Sequence, residues 1–380
     1  MEEFDKLSKA ELNRYQRHLV LPKFGIEGQV KLKESKVLII GAGGLGSPLL
    51  EYLTAAGVGT LGIVDFDLVE ASNLQRQVLY NEQDIGRSKV EAAINKLKKQ
   101  NSEVNFIAHT EKLTSKNALE IIQSYDVVAD GSDNFPTRYL VNDACVILGK
   151  PLVYGSIYRF EGQVSVFNQI NKEGETGPNY RDLFPTPPSP NSVPSCSEGG
   201  VLGVLAGIIG SIQANEVIKL ITNTGTTLSG RLFILDSFNF ETQSIRYSRR
   251  KSGYKIKELI DYEEFCNMSD QSSPFDVNEI TVHELNKMIK DGADFQLIDV
   301  RTQFEHHISN IGGKLIPLEE IVGHVDEIDR TKQVVMYCKV GIRSTEAILH
   351  LQSIYEFDNL YNLKGGINAW ATEIDNRFAQ

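Results

Sequence analysis

The sequence has few cysteines and no pair of the Cys-x-x-Cys type. Its 380 residues contain four, Cys145, Cys196, Cys266 and Cys338, at wide spacings. Such a pattern argues against a disulfide-held scaffold and against a zinc ribbon, so each cysteine has to be interpreted from its neighbours.

Long apolar runs are absent as well. The longest uncharged stretch, residues 199–215, is rich in glycine and small residues, and it is shorter than the ~20 apolar residues that span a bilayer. We therefore predict a closely packed internal helix there and no membrane partner. The first residues lack the basic start and apolar segment of a secretion signal, which indicates a cytoplasmic protein.

Positive charge is in deficit too. The 39 basic and 50 acidic side chains give a net charge of −11 at pH 7, which argues against nucleic acid or an anionic membrane as the main partner. Hydrophobic residues at 41% and charged residues at 23% are close to globular averages, so packed cores are expected. A chain of this length has room for two or three domains.

Short β-rich runs alternate with helical patterns from Val37 onward. The runs lie at 37–40, 61–64, 104–107, 126–129 and 151–154, with helical apolar spacing at 47–56 and 89–97. This alternation predicts the α/β class, with a Rossmann-like, mainly parallel sheet. The later runs at 162–167 and 231–235 are interpreted as antiparallel additions to that sheet.

Two changes in composition indicate the domain organisation. Residues 169–198 are rich in proline, which is typical of a long functional or disordered loop. Residues 248–275 are polar and predict a linker with a short helix near 259–266. The α/β alternation then resumes at 295–298, 334–337 and 360–363. We therefore predict a first domain over 1–247, a linker over 248–275 and a second, small α/β domain over 276–380.

A glycine-rich turn follows the first predicted strand. Its four glycines, Gly41, Gly43, Gly44 and Gly46, come directly before a helix, where backbone N–H groups and the positive helix end can hold phosphate oxygens. Asp65 ends the next strand and is placed to accept hydrogen bonds from a ribose. A tight turn without a ligand, or an NAD-dependent dehydrogenase, would show the same pattern up to this point.

Polar and charged residues further along the chain distinguish a dehydrogenase from an enzyme that acts on ATP. Asn73, Arg76, Lys89 and Asp133 follow in order and supply two cations and an acid suited to Mg²⁺. Hydride transfer needs no such set, whereas attack at an α-phosphorus requires its developing charge to be neutralised. The joint pattern favours adenylyl transfer from ATP, although Arg76 or Lys89 taken alone would be read as a solvated helix charge.

At this point the sequence resembles the MoeB/ThiF family of ubiquitin-activating-enzyme-like adenylyltransferases. The resemblance spans residues 5–247 and rests on Arg14-Tyr-Gln-Arg17-His, the glycine-rich turn, Asp65-Phe-Asp, Ser72-Asn-Leu-Gln-Arg76-Gln and Asp133-Asn. It implies that Asp65 binds the ribose, that Asn73, Arg76 and Lys89 hold the phosphates, and that Asp133 binds Mg²⁺. It also implies a homodimer in which Arg17 reaches the partner subunit's ATP; from the sequence alone, Arg17 is equally a surface charge.

One feature departs from the family pattern. Many members carry two Cys-x-x-Cys pairs for a structural zinc, but Asn179 and Asp182 stand at the first pair here, and residues 250–254 have no cysteine. A tetrahedral zinc site needs four such ligands, so we predict no zinc. This matches the zinc-less, rhodanese-fused branch that includes MoeZ-like proteins.

Two cysteines have reactive surroundings. Cys196 ends the proline-rich loop just before the small-residue helix, whose positive end favours a thiolate; it corresponds to the acyl-accepting cysteine of the family, and an exposed loop cysteine is the alternative. Cys338 opens a Cys-x-x-x-x-Arg loop that ends at Arg343. Successive loop N–H groups and Arg343 would stabilise an anionic sulfur there. A cysteine phosphatase loop would be one residue longer, and a buried structural cysteine is the remaining alternative.

Residues 276–380 resemble a rhodanese domain. The resemblance rests on Leu297-Ile-Asp299-Val-Arg301, Phe304-Glu305, residues 311–317, the Cys338 loop and Leu363-Lys-Gly-Gly366-Ile-Asn-Ala-Trp370. It implies that Cys338 carries a persulfide, while Asp299 and Arg301 support the fold of the loop.

The two predicted sites suggest one reaction sequence. ATP would activate the C-terminal glycine of a ubiquitin-like sulfur-carrier protein ending in Gly-Gly, and sulfur from Cys338 would then displace AMP to give a thiocarboxylate. A persulfide donor such as a cysteine desulfurase would load Cys338. The carrier's pathway, whether molybdopterin, thiamine, cysteine or tRNA thiolation, is left open. Two other hypotheses are an NAD-binding Rossmann oxidoreductase fused to a sulfurtransferase module, and a non-catalytic scaffold for a ubiquitin-like partner.

Overall fold

The computed structural model describes residues 4–188, 200–250, 256–267 and 277–378. Backbone contacts divide most of these residues into two compact units, one containing residues 4–187, 200–250 and 256–267, and the other containing 277–378. Each unit has its own sheet. The domain limits at 247 and 275 stay a prediction from the sequence.

The first unit is built on an eight-stranded sheet in the order β3-β2-β1-β4-β5-β6-β7-β8. The first five of these strands run parallel, and the last three pair antiparallel. The predicted parallel sheet with antiparallel additions is therefore confirmed. The strands are β1 (Lys36–Ile40), β2 (Thr60–Val64), β3 (Asn105–His109), β4 (Val127–Asp130), β5 (Leu152–Tyr158), β6 (Glu161–Phe167), β7 (Arg231–Asp236) and β8 (Glu241–Arg246).

Helices cover both faces of this sheet. They are α1 (Lys9–Arg14), α2 (Gln16–Leu19), α3 (Gly25–Glu34), α4 (Gly46–Ala56), α5 (Lys89–Gln100), α6 (Ala118–Gln123), α7 (Phe135–Leu148), α8 (Tyr180–Leu183), α9 (Gly203–Thr222) and α10 (Tyr262–Asn267). Single 3₁₀ turns lie at Phe4–Lys6, Ala71–Asn73 and Glu82–Asp84.

The apolar run of β1 explains why helices cover two faces. Val37 and Ile39 are buried in one core with α4, α5 and α9. Leu38 and Ile40 are buried in a second core with α6 and α7. Because successive side chains of a strand point to opposite faces, a strand apolar at every position must be covered on both sides.

The helix predicted within residues 199–215 is α9. It contacts α4, α3 and β5, and Leu205, Ile209 and Val217 along it are fully buried. Among the residues that the structure describes, α9 is the one helix long and apolar enough to cross a membrane. Its packing against the sheet is that of a core helix.

The second unit contains a five-stranded parallel sheet in the order β11-β10-β12-β13-β9. Its strands are β9 (Asn278–Ile280), β10 (Phe295–Asp299), β11 (Lys314–Leu315), β12 (Gln333–Tyr337) and β13 (Leu360–Leu363), and its helices are α11 (Val282–Asp291), α12 (Gln303–Ile308), α13 (Ile342–Tyr355) and α14 (Gly366–Glu373), with 3₁₀ segments at Leu318–Glu327 and Asn376–Phe378. Apolar cores lie on both faces, one with Met336 and Leu351, the other with Val335 and Trp370.

Residues 256–267 form a packed part of the first unit. Tyr262 and Cys266 of α10 are buried in the core that contains α7. The Tyr262 hydroxyl donates a hydrogen bond to Asp143 Oδ2 at 2.7 Å, and Arg181 of α8 donates to both oxygens of the same carboxylate, at 2.9 and 2.7 Å. Asp143 therefore joins α7, α8 and α10.

We expect Asp143→Asn to destabilise the first unit strongly. The change leaves the Arg181 guanidinium, which is 5% exposed, without its ionised partner, and breaking a buried pair in this way costs about 3–5 kcal/mol. Urea unfolding followed by circular dichroism measures the loss. Glu27→Gln, which removes an exposed ion pair with Lys31, is the control and should leave the transition unchanged. A loss in Asp143→Asn below about 1 kcal/mol would contradict this account.

Candidate functional sites

A cavity of about 460 Å³ opens at the carboxyl ends of the parallel strands of the first unit. Ile40, Val64 and Asp130 end β1, β2 and β4 at the same level, since Ile40 pairs with both of the others. The chain leaves β1 toward one face of the sheet and β4 toward the other. In open α/β sheets, ligands bind in the crevice between two neighbouring strands whose connections diverge in this way. The predicted residues that line the cavity are Gly41, Gly43, Gly44, Asp65, Asn73, Arg76, Lys89 and Asp133.

The glycine-rich turn has two kinds of glycine. Gly46 does not line the cavity, and a side chain there would overlap the carbonyl oxygen of Gly41, so its role is to let the turn close. A Cβ at Gly43 would meet nothing nearer than Gln77 Nε2 at 3.6 Å. The protein itself does not require a glycine at 43, and the bare backbone leaves room for a ligand to approach the start of α4.

Asp65 is fixed by two backbone donors. Its Oδ2 accepts a hydrogen bond from Ala42 N–H at 2.8 Å, and its Oδ1 accepts from Asp67 N–H at 2.9 Å. The residue is 9% exposed, and this burial raises the pKa of the carboxyl group. Each oxygen keeps a lone-pair direction, so the carboxylate can still accept hydrogen bonds from two neighbouring hydroxyls.

The predicted cations lie along the cavity wall. Lys89 begins α5 and is 6% exposed; its ammonium donates to Asp67 Oδ2 at 2.7 Å. Arg76 donates from Nη1 to Ser72 O at 3.0 Å. Asn73 is buried and accepts a hydrogen bond from Glu70 N–H through Oδ1. Two positive groups and an amide therefore lie around one cavity, which suits a polyphosphate.

Asp133 and Arg17 occupy different surroundings. Asp133 is an exposed residue that lines the cavity just before Asn134, whose side chain caps α7 through Thr137 N–H. Arg17 is exposed on α2 and does not line the cavity of its own chain. A role for Arg17 at ATP therefore depends on a second subunit.

Arg138 is a cavity residue that the sequence reasoning missed. It lies on α7, is 8% exposed and lines the cavity. Its Nη2 donates to Ser132 O at 3.1 Å, and its Nη1 donates to Ser156 Oγ at 3.0 Å. Asp130 accepts from Ser132 N–H at 2.9 Å. Two buried groups of opposite charge therefore hold the peptide groups on either side of Ser132, the residue before Asp133. The sequence signal that could have identified it is an arginine directly before the apolar run Tyr139-Leu-Val, a position where a helix turns toward the core.

The positions where many family members carry zinc ligands are joined by hydrogen bonds. Asp182 Oδ1 accepts from Arg250 N–H at 2.9 Å, and Arg250 Nε donates to Asp182 O at 3.0 Å. Asp182 Oδ2 accepts from Asn179 N–H at 2.8 Å. No group of three or more metal-ligating side chains occurs within the described ranges. The absence of zinc stays a prediction.

Cys338 lies in a closed loop of the second unit. It follows β12 directly and is fully buried. Its sulfur accepts a hydrogen bond from Gly341 N–H at 3.1 Å and lies 3.5 Å from Ser344 Oγ. Gly341 has a φ of 100°, a conformation that favours glycine and turns the loop into α13. The sulfur therefore lies at the N-terminal end of a helix, among neutral donors that stabilise negative charge.

Both arginines of this predicted site have carboxylate partners. Arg343 donates to the two oxygens of Glu305 at 2.8 and 2.6 Å. Arg301 donates to Asp299 from Nε and Nη2, the latter at 2.7 Å, and both residues are fully buried. Asp299 and Arg301 thus pair at the end of β10, and their support of the Cys338 loop stays a prediction.

The other cysteines differ from Cys338. Burial raises the pKa of the Cys145 and Cys266 thiols, that of Cys266 to about 11, which disfavours thiolates at these positions. Cys196 lies outside the described residues.

We expect the Glu305–Arg343 pair to stabilise the second unit in a pH-dependent way. Burial raises the pKa of Glu305, but the hydrogen bonds from Arg343 and Thr302 outweigh it and lower this pKa to about 2. A group whose pKa is lowered by folding adds stability above its unfolded pKa, and this is lost as the pH falls through the folded value. The stability difference between the wild type and Glu305→Gln should therefore be constant above about pH 5 and shrink between about pH 5 and 2.

Denaturant unfolding of the wild type and of Glu305→Gln at each pH measures the difference in their free energies of unfolding. The titration of the other carboxylates is the same in both proteins and cancels in this difference. A difference that stays constant down to pH 2 would be incompatible with the pair. Gln at 305 keeps the N-terminal cap of α12, where Thr302 N–H donates to the side chain at 305.

Comparison with protein-family models finds two matches. Residues 15–256 match the ThiF family, and residues 281–373 match the rhodanese-like domain. The first match covers the unit with the cavity, and the second covers the unit with Cys338.

Curated proteins are similar to this chain over most of their own length. A probable adenylyltransferase/sulfurtransferase MoeZ of Mycobacterium tuberculosis is 46% identical over 97% of this chain and 95% of its own. The adenylyltransferase and sulfurtransferase MOCS3 of Drosophila grimshawi is 42% identical over 99% of this chain and 88% of its own. The adenylyltransferase and sulfurtransferase MOCS3 of Sus scrofa is 40% identical over 98% of this chain and 88% of its own. These names set aside the oxidoreductase hypothesis.

Solved structures share the fold of the first unit. The microcin C7 biosynthetic enzyme MccB in complex with N-formylated MccA has a TM-score of 0.57 and 22% identity, covering 65% of this chain and 76% of its own. PaaA has a TM-score of 0.55 and 23% identity, covering 64% and 76%. The chain belongs to the ThiF family, carries a C-terminal rhodanese-like domain, and is an adenylyltransferase and sulfurtransferase.

Proposed function

We propose that the chain adenylylates the C-terminal glycine of a ubiquitin-like sulfur-carrier protein and then replaces AMP with sulfur from a persulfide on Cys338. The observation that carries the proposal is the single cavity at the carboxyl ends of β1, β2 and β4, which gathers Asp65, Lys89 and Asp133 beside the glycine-rich turn. Each of these residues fits one part of ATP.

The ATP-binding roles follow from the surroundings of each side chain. Asp65 accepts hydrogen bonds from the ribose hydroxyls, as a carboxylate at the end of β2 does in nucleotide-binding sheets. The backbone at Gly43 and the start of α4 receive phosphate oxygens. Asn73, Arg76 and Lys89 neutralise the triphosphate, and Lys89 exchanges its bond to Asp67 for one to phosphate.

The acid at 133 suits Mg²⁺. It is an exposed carboxylate on the cavity wall, and Mg²⁺ in phosphate-binding sites uses one or two carboxylates together with the substrate's phosphates. A single acid is therefore a sufficient protein ligand. When bound, the ion would offset negative charge on the phosphates, while Arg138 and Asp130 keep the peptide before Asp133 in place.

The first reaction needs no general base. The carrier's terminal carboxylate is ionised at neutral pH, and its oxygen attacks the α-phosphorus as the bond to pyrophosphate breaks. The product is an acyl-adenylate, whose AMP is a good leaving group.

The second reaction uses the sulfur. The terminal sulfur of the Cys338 persulfide attacks the acyl carbon and expels AMP, which leaves an acyl disulfide between the carrier and Cys338. Thiolate attack on the Cys338 sulfur then releases the thiocarboxylate and forms a new disulfide. We assign this thiolate to Cys196, and an external thiol reductant restores both cysteines.

The proposal includes partners and location. We propose a homodimer in which Arg17 contacts the partner subunit's ATP, in keeping with its exposure and with its absence from the cavity lining of its own chain. A persulfide donor such as a cysteine desulfurase loads Cys338. The enzyme works in the cytoplasm, with no nucleic acid or membrane partner, and its carrier serves a pathway such as molybdopterin or thiamine biosynthesis.

Two variants should separate the half-reactions. Asp133→Asn should reduce ATP–pyrophosphate exchange at least about 100-fold, because charge stabilisation in the transition state is lost. Cys338→Ser should keep this exchange but make no thiocarboxylate. Mass spectrometry of candidate carriers ending in Gly-Gly, incubated with ATP, Mg²⁺ and a sulfur source, detects the product as a gain of about 16 Da. Failure of the wild type to adenylylate every such carrier would refute the proposal.

Arg138→Met should lower kcat of pyrophosphate exchange about 10- to 100-fold with a smaller change in KM for ATP. The substitution frees Ser132 O, so Asp133 loses its fixed position, and small misplacements of a catalytic group have effects of this size. Arg246→Met, which removes an exposed arginine on β8, is the matched control. An equal rise in KM for ATP with kcat intact would instead indicate direct ground-state binding by Arg138.

A further inference from the structure

Negative charge on a sulfur donor is poorly matched at the Cys338 site. The sulfur of Cys338 accepts a hydrogen bond from a neutral group, Gly341 N–H, at 3.1 Å. The Ser344 hydroxyl lies 3.5 Å from the sulfur and donates its one proton to Asn362 Oδ1 at 2.7 Å. A neutral donor stabilises a singly charged persulfide close to it but offers little to a second charge further out.

The loop arginine is the group that would bind an anionic donor. Arg343 ends the Cys338 loop, yet its guanidinium faces Glu305 of α12 in a two-bond contact. The side chains of Arg343 and Glu305 are 7% and 19% exposed, so solvent screens the pair only partly. Because Glu305 is ionised at neutral pH, the pair carries no net charge.

The other arginine near the loop is neutralised in the same way. Arg301 pairs with Asp299 below β10, and Asp299 also contacts His306 Nδ1 at 2.9 Å. Within the loop itself, residues 338–343, Lys339 is the other side chain with a positive charge. The two arginines therefore add no net positive charge to that of Lys339 in the loop.

We infer that Glu305 is a specificity-determining residue that makes the Cys338 site select uncharged or singly charged sulfane-sulfur donors over small dianions such as thiosulfate. The inference rests on the proposed role of Cys338 as the persulfide carrier. Glu305 acts through Arg343 and does not touch the donor, so it is a positioning residue whose carboxylate withholds a cation from the loop.

The transfer balances for either donor. With a persulfide R–S–SH, the Cys338 thiolate attacks the outer sulfur, the S–S bond of the donor breaks, and R–S⁻ leaves as Cys338 becomes a persulfide. With thiosulfate the same attack releases sulfite, and the sulfonate group has to be accommodated beside the loop. A cation is needed there in the second case only.

The test compares two donors on the full-length protein without ATP. Persulfide formation is measured as thiocyanate released to cyanide above the rate without protein, with thiosulfate or the singly charged cysteine persulfide as the donor. Glu305→Gln should raise kcat/KM for thiosulfate about tenfold, as the removal of one nearby charge predicts, and should change that for cysteine persulfide less than about twofold. The gain should shrink at high ionic strength.

Three further variants make the outcome specific. Glu305→Asp keeps the negative charge and should behave like the wild type, and the double variant Glu305→Gln with Arg343→Gln should lose the gain. Asp326→Asn removes an exposed acid elsewhere in the second unit and should change neither rate. A fall in both rates for Glu305→Gln, or no change in selectivity, would overturn the inference.

Failure of the proposed function would look different. Cys338→Ser should lose the thiocyanate formation that depends on the protein with both donors. If the wild type forms no persulfide from either donor, the assigned role of Cys338 is wrong. If it does, and Glu305→Gln leaves the donor preference unchanged, only the role of Glu305 is wrong.

Discussion

The common level at which β1, β2 and β4 end is the constraint on which the first site depends. Hydrogen bonding between these parallel strands aligns Ile40 with Val64 and with Asp130. The residues that follow each strand are therefore brought to one edge of the sheet, although they are far apart in the chain. The bond from Ala42 N–H to Asp65 then fixes the first two loops to each other. A shift of one residue in this register would separate the glycine-rich turn from the acid.

Several charged side chains with little exposure to solvent form neutral pairs in the part of the chain that the structure describes. Asp143 with Arg181, Asp299 with Arg301 and Glu305 with Arg343 each combine a carboxylate with a two-bond guanidinium contact. Such pairs are costly to break because either partner alone would be an uncompensated charge. They join loops and helices to one another, while the residues assigned to ATP line the cavity.

Local patterns in the sequence were sufficient for the parallel strands of the first unit, the glycine-rich turn and eight of the residues that line the cavity. Each of these has a short-range signature, either a period or a spacing. β8 was missed because Glu241–Arg246 is exposed at every position and so lacks an apolar period. Glu305 was not assigned a role because it meets its partner Arg343 only where α12 contacts the Cys338 loop. Arg138 was not assigned one because α7 has to pack back against the end of β4 before its side chain can reach Ser132 O. The packing of α10 was hidden by the polar residues around it.

The hydrogen bonds between Asp182 and Arg250 join the chain after β6 to the chain after β8. At these places the family pattern described from the sequence predicts thiolates around a metal. Thiolates are oxidised by peroxides and compete for a scarce ion, whereas an amide, a carboxylate and an arginine have no redox chemistry. A sulfurtransferase with this link thus keeps it chemically separate from the sulfur it transfers.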